Sequence, residues 1–133
     1  MSIQVLKFGG TSVGTIEKIE AVAAKLADFQ DRGHKVVAVV SAMSGETNRL
    51  IGLAKQIMDP PHGREYDVLV SSGEQVACSL IAGRLIHEGY QSRSWLSWQI
   101  PIFTKGKYKN SRINQINTRN IIRYLKKGGI PIV

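Results

Sequence analysis

No aspartate or glutamate occurs after Glu88, although residues 89–133 carry nine lysines and arginines. Residues 1–88 hold the other nine basic side chains and all ten acids, so the formal charge of +8 lies in the last third of the chain. Such an asymmetry marks either a surface for acidic partners, nucleic acid or membrane, or a piece whose acidic neighbour lies elsewhere. Cysteine is nearly absent. Cys78 stands alone, which excludes an internal disulfide and fits a reducing, cytoplasmic setting. No apolar run approaches the roughly 18 residues that cross a bilayer, so no membrane partner is expected. The opening MSIQVLKFGG has no charged n-region followed by a long apolar stretch, so no secretory leader is expected. His34, His62 and His87 lie far apart without metal-ligand spacing. Internal repeats and low-complexity segments are missing too.

What is present is the composition of an ordinary soluble domain, 43% apolar and 21% charged over 133 residues. Ile3-Gln4-Val5-Leu6 reads as a short strand that ends at Gly9-Gly10. Residues 15–29 follow a helical period, with Ile16, Ile19, Val22, Ala23, Leu26 and Phe29 on one face. Lys35 to Val40 is an almost continuous β-branched run, the pattern of a strand buried on both faces in a parallel sheet. Strand, helix, strand in so short a span is a right-handed βαβ unit. A helix is expected from about Glu46 to Met58. The stretch 65–88 reads as helix on either side of Ser71-Ser72-Gly73, with Val76, Ala77, Leu80, Ile81 and Leu85 inward. Gln91 to Leu96 and Ile100 to Thr104 read as strands, Lys105 to Asn110 as an exposed loop, and Thr118 to Lys127 as a last helix with Gly128 beyond its end. Ile130 to Val133 begins a further strand.

Three stretches carry chemistry. The first is KFGGTSVG, residues 7 to 14. A glycine pair between strand and helix lets a phosphate reach backbone N–H groups that no Cβ obstructs, and the helix dipole adds attraction. Lys7 can set an ammonium on a transferring phosphoryl group, and Thr11 and Ser12 can donate further hydrogen bonds. The same spacing is equally that of a tight turn with Thr15 as helix N-cap. The second is SAMSGETN, residues 41 to 48, which leaves the second strand. Ligands of open α/β sheets bind beyond the carboxyl ends of the strands, so both loops should converge on one crevice. There Ser41 and Thr47 can hold a small polar substrate; the competing reading is a cap by Ser44 with an acid at Glu46. The third, Ser71-Ser72-Gly73-Glu74, matches a capping box, or else Glu74 binds a substrate ammonium. The basic segment KGKYKNSRI, residues 105 to 113, lacks any helix-turn-helix, RNP or zinc spacing, which favours a solvated loop over nucleic-acid binding.

In order and spacing, VLKFGGTSVG at 5–14, VVSAMSGETNRL at 39–50 and VSSGEQV at 70–76 resemble the N-terminal part of aspartate kinases, in the amino-acid kinase family. The resemblance implies a three-layer αβα domain with a mainly parallel sheet, of which residues 1–133 form the N-terminal, aspartate-binding part. The nucleotide-binding half, with its GRGGSDT-type segment, and the regulatory ACT domains are not among these residues. It implies transfer of the γ-phosphoryl of Mg-ATP to the β-carboxylate of L-aspartate, giving 4-phospho-L-aspartate on the way to lysine, threonine and methionine. Lys7, Phe8, Gly9, Gly10, Thr11 and Ser12 would then handle phosphate, with Lys7 catalytic. Ser41 and Thr47 would contact aspartate, and Glu74 would pair with its α-ammonium. A homo-oligomer is implied as well. The segment Thr104 to Lys109 departs from the family, whose members usually carry an acid there. A binding module that uses its basic tail on an acidic partner is the alternative, as is another amino-acid kinase.

Overall fold

The computed structural model describes residues 2–133, except for the side chain of Lys109. Four parallel strands form the main sheet: β1 (Ile3–Phe8), β2 (Lys35–Val40), β3 (Ser92–Ser94) and β6 (Ile130–Ile132), in the order β1-β2-β6-β3. β1 runs alongside β2 in register from Ile3↔Lys35 to Phe8↔Val40. β6 lies between β2 and β3, so the last residues of the chain complete the middle of the sheet. Ile130 and Ile132 are wholly buried there. A separate antiparallel hairpin joins β4 (Ile102–Lys105) and β5 (Arg112–Ile116), with an irregular register between Phe103 and Thr104.

The alternation of β2 divides the core in two. Val36, Ala38 and Val40 face α1 (Ile16–Asp31) and α3 (Arg64–His87), packing with Leu26, Ile81 and Leu85. Val37 points to the other face, against Ile121 and Leu125 of α4 (Arg119–Lys126) and against Trp95 and Ile100. Helices on both faces of a parallel sheet make the expected three-layer α/β architecture. α2 (Glu46–Ile57) packs on α3 through Leu50 and Ala54. Thr15 caps α1, its hydroxyl accepting from the Lys18 N–H at 3.3 Å. Gly128, at φ +84°, takes the left-handed turn after α4.

Several local expectations are corrected. α3 is one unbroken helix, because Gly73 lies inside it, buried where a Cβ would press on Ala42 at 3.1 Å. Ser71 is therefore no N-cap, and the capping box does not form; its hydroxyl donates back to the Val68 carbonyl, 3.0 Å away. Ser44 does not cap α2 either. Gly45 stands at that N-cap in the left-handed region, at φ +82°. Val76 and Leu80 are on the exposed side of α3, and Ile16 is exposed on α1. β1 is a sheet edge whose second face is bare, leaving Ile3 and Val5 exposed. β5 was not foreseen, because RINQI has strand alternation but all five residues are exposed and no core face marks them. Lys105, Gly106, Lys107, Tyr108 and Asn110 are exposed, as a loop should be; the side chain of Lys109 is outside the described residues.

Candidate functional site

At the carboxyl edge of the sheet, the loops after β1 and β2 close on each other. The Ser41 N–H donates to the Phe8 carbonyl at 3.0 Å, tying the two strand ends together. Residues Gly10–Val13 then make one turn of 3-10 helix, anchored by the fully buried Val13. The glycines of this loop are not equivalent. A Cβ on Gly10 would stand 3.1 Å from the Ala42 carbonyl oxygen, and one on Gly14 would stand 3.1 Å from the Ser44 Cβ. Both therefore let the second loop approach. Gly9 has nothing within 4 Å and an ordinary φ of −78°, so no neighbour in the fold requires it to be glycine. Its open side is the one on which a ligand can reach the backbone.

Lys7 lies at the end of β1, paired with Val39 and exposed. By the alternation of β1 it projects to the face opposite α1, while the neighbouring Phe8 ring is core. Thr11 and Ser12 are exposed on the 3-10 turn. The Ser12 N–H is engaged with the Gly9 carbonyl at 2.9 Å, so Ser12 offers its hydroxyl and not its backbone donor. The Lys18 ammonium donates to the Thr11 carbonyl at 2.8 Å, which places a second cation beside the glycine loop. Sequence reasoning missed Lys18, since nothing in its helical position separates it from a solvated lysine.

Ser41 and Thr47 are half-buried, one just after β2 and the other in the first turn of α2. Glu46, between them, is held by Arg49 through two hydrogen bonds of 2.9 and 2.7 Å. The Arg49 hydrogen bonds keep the Glu46 carboxyl below the usual range, so it titrates as a paired group. Glu74 sits in mid-α3 next to Gly73, whose contact with Ala42 brings α3 against the second loop.

Glu74 opens on a crevice of about 380 Å³ at the strand ends, with Gln75 and Cys78 beside it on α3 and Trp98 and Ile102 opposite. Burial pushes the Cys78 thiol up to about 11, and the Glu74 carboxylate one turn away adds to that shift. The wall residues Gln75 and Trp98 were also missed, because their place depends on how the segment after β3 folds back. Lys7, Ser41 and Thr47 are not part of this lining; Val39 and Val40, adjacent to two of them, are. The structure thus joins the three motifs through Gly10, Ala42 and Gly73, with Lys7 and Glu74 on separate parts of one edge. Among the described residues, no three of His, Cys, Asp or Glu are placed to share a metal ion.

Known proteins resemble the chain along its whole length. Residues 2–133 match the model of the amino acid kinase family. The aspartate kinase of Stutzerimonas stutzeri is 51% identical over all 133 residues, and the aspartokinase of Pseudomonas aeruginosa is 50% identical. The chain spans only 32% of each of these relatives. Among solved structures, aspartate kinase from Synechocystis superposes with a TM-score of 0.82 at 37% identity, over 98% of this chain and 21% of that one. A carbamate kinase from Giardia lamblia, at 9% identity and a TM-score of 0.67, shares the fold over 98% of this chain and 55% of its own. A parallel sheet with helices on both faces, glycine loops meeting at its carboxyl edge and a family model matched from residue 2 to residue 133 agree, and the chain belongs to the amino acid kinase family.

Proposed function

We propose that these residues form the aspartate-side part of an aspartate kinase, which transfers the γ-phosphoryl of ATP to the β-carboxylate of L-aspartate. The observation that carries this reading is the meeting of three motifs at one sheet edge, Gly10 against Ala42 and Ala42 against Gly73. A solved aspartokinase III of E. coli with aspartate and ADP, 18% identical, has the same fold with a TM-score of 0.78. In our reading Lys7 neutralises charge on the phosphoryl in flight. Gly9 and Gly10 bring backbone near the phosphates, with Phe8, Thr11 and Ser12 completing that segment. Ser41 and Thr47 hold the aspartate, and Glu74 pairs with its α-ammonium. A carboxylate acceptor is already ionised at neutral pH, so positioning and charge neutralisation do the catalytic work and no general base is needed. Magnesium would arrive bound to ATP, whose phosphates supply much of its coordination. The rest of the nucleotide site is assigned to chain outside these residues, because the relatives are about three times as long. Cytoplasmic location and amino-acid biosynthesis follow from the same reading. Self-association is proposed through the bare edge of β1, and light scattering checks it: a clean monomer would end that part.

Titration calorimetry with L-aspartate tests the assignment. Glu74→Gln should weaken binding by about tenfold or more, through loss of a charge-assisted pair. The reading fails if Glu74→Gln and Thr47→Ala both bind as the parent chain does. With ATP and hydroxylamine, the 133-residue chain alone should trap no acyl phosphate; steady turnover would break the division into halves.

A further inference from the structure

A second cavity of about 380 Å³ lies on the α4 face of the sheet, at the β3 edge. Its size is that of a small-molecule site. Arg93 enters it from β3, and Asn120, Arg123, Tyr124 and Lys127 enter from α4 and its cap at successive turns of one helix face. Arg93, Arg123 and Lys127 have no ion-pair partner among the described residues, and no acid exists in residues 89–133 to supply a near one. Three like charges around one cavity repel each other unless an anion joins them.

The wall between these cations is aromatic. Trp95 meets Tyr124 edge-on at 5.6 Å, and the Arg93 guanidinium stands 4.9 Å over the Trp95 ring. Tyr124 is fixed in place, because a Cβ on Gly129 would overlap its ring. Trp95 is only 7% exposed, yet its indole Nε1 has no hydrogen-bond partner among the described residues. A buried donor without an acceptor is uncommon in a folded protein. The Gln99 side chain also lines the cavity, and its oxygen is already occupied by the Leu96 N–H at 2.9 Å, which leaves its amide hydrogens as donors. The indole Nε1 itself is sealed from solvent, so the cations and the Gln99 amide hydrogens are the groups that call for a ligand rich in acceptors and negative charge.

We propose that this cavity binds a small organic anion with at least two negative charges, of the phosphate or carboxylate class, with its body lying on Trp95 and Tyr124. It is distinct from the Glu74 crevice in its lining, save for Trp95, which borders both. That shared wall makes binding visible in tryptophan fluorescence.

The experiment titrates the whole chain, carrying Trp98→Phe so that Trp95 is the sole tryptophan, with tripolyphosphate and separately with citrate at fixed ionic strength. A saturable one-site change with either probe is the expected result, and the better probe assigns the class. Arg123→Ala should weaken it by about tenfold, and Lys127→Glu by more, since both remove charge-assisted contacts from exposed positions that leave the core intact. Lys7→Ala should leave the affinity unchanged, which separates this site from the glycine loop. Equal affinity in Arg123→Ala and Lys127→Glu, loss of binding in Lys7→Ala, or a signal that never saturates would each overturn the proposal.

Discussion

The three loops at the carboxyl edge and the β4–β5 hairpin solve opposite problems. At the edge, backbone packs on backbone. Gly10, Gly14 and Gly73 sit where a single methyl group would strike Ala42 or Ser44, and Val13 is sealed beneath them. In the hairpin, every residue of β5 is exposed, and Phe103, Ile113 and Ile116 show large apolar side chains to solvent. The edge is balanced in charge, whereas the hairpin and the tail after it carry only cations. One region is specified by its own contacts. The other meets the core at Ile102, and its outer apolar and basic surface is the kind that a partner covers.

The sharpest way to break this comparison is by deletion of core volume. Ile81→Ala removes a fully buried side chain between α1, α3 and the sheet, and should cost about 2–5 kcal/mol in urea unfolding. Ile113→Ala in the hairpin, 65% exposed, should stay within about 0.5 kcal/mol. Equal losses would show that the hairpin has a core of its own.

Next comes the pair of adjacent glycines. Gly10→Ala must push the Ala42 carbonyl away and should cost about 1–3 kcal/mol. Gly9→Ala meets nothing within 4 Å and should leave the melting temperature unchanged or slightly raised. Under the kinase reading, Gly9→Ala should nevertheless weaken ATP binding, because its new methyl group would occupy the side on which phosphate approaches. A variant stable and fully competent in ATP binding would detach Gly9 from the site.

Cys78 offers a third contrast, within the crevice. With its thiol pushed up to about 11, Cys78 should react with a disulfide reagent at pH 8 far more slowly in the folded chain than in urea. The raised value also sets a sign. The folded state holds this proton more tightly than the unfolded state, so the contribution is complete below about pH 9 and is lost as pH rises through about 11. Cys78→Ala should flatten that alkaline decline; an unchanged decline would assign it to other groups.

How much of this was legible beforehand follows from where information is stored. β2 could be read because the five consecutive residues Val36 to Val40 are shaped for burial on two faces, and α1 because its period and the Thr15 cap agree. The convergence of the first two loops followed from parallel neighbours alone. The continuity of α3 could not be read. Ser-Ser-Gly looks like an interruption, and only the approach of Ala42 and Leu50 explains why a glycine is needed in mid-helix. The inward placement of Val76 and Leu80 failed for a related reason: apolar residues of α3 fall on several sides of the helix, so its period does not say which side the sheet covers. The crevice wall at Trp98 and the anion cavity at Tyr124 depend on long-range packing that no local pattern records.

The smallest expected effect lies at the border of the two motifs, in the pair Glu46–Arg49. Both oxygens of Glu46 accept from the Arg49 guanidinium, yet the arginine is largely exposed. Such solvent-facing pairs contribute little and fade with salt. Because Arg49 holds the Glu46 carboxyl low, this contribution is present above the ordinary carboxylate range and is lost as pH falls through the lowered value. Arg49→Ala should therefore shift the melting temperature slightly at neutral pH and low salt, and not at all in acid or in high salt. The same variant frees a carboxylate whose Cγ stands 3.4 Å from where a Cβ of Gly73 would lie, one residue from Glu74. If Arg49 serves only its helix, L-aspartate affinity should not move with it. If affinity falls, Arg49 keeps Glu46 from competing with the incoming carboxylates, and the edge of the sheet is tuned by charge as closely as by packing.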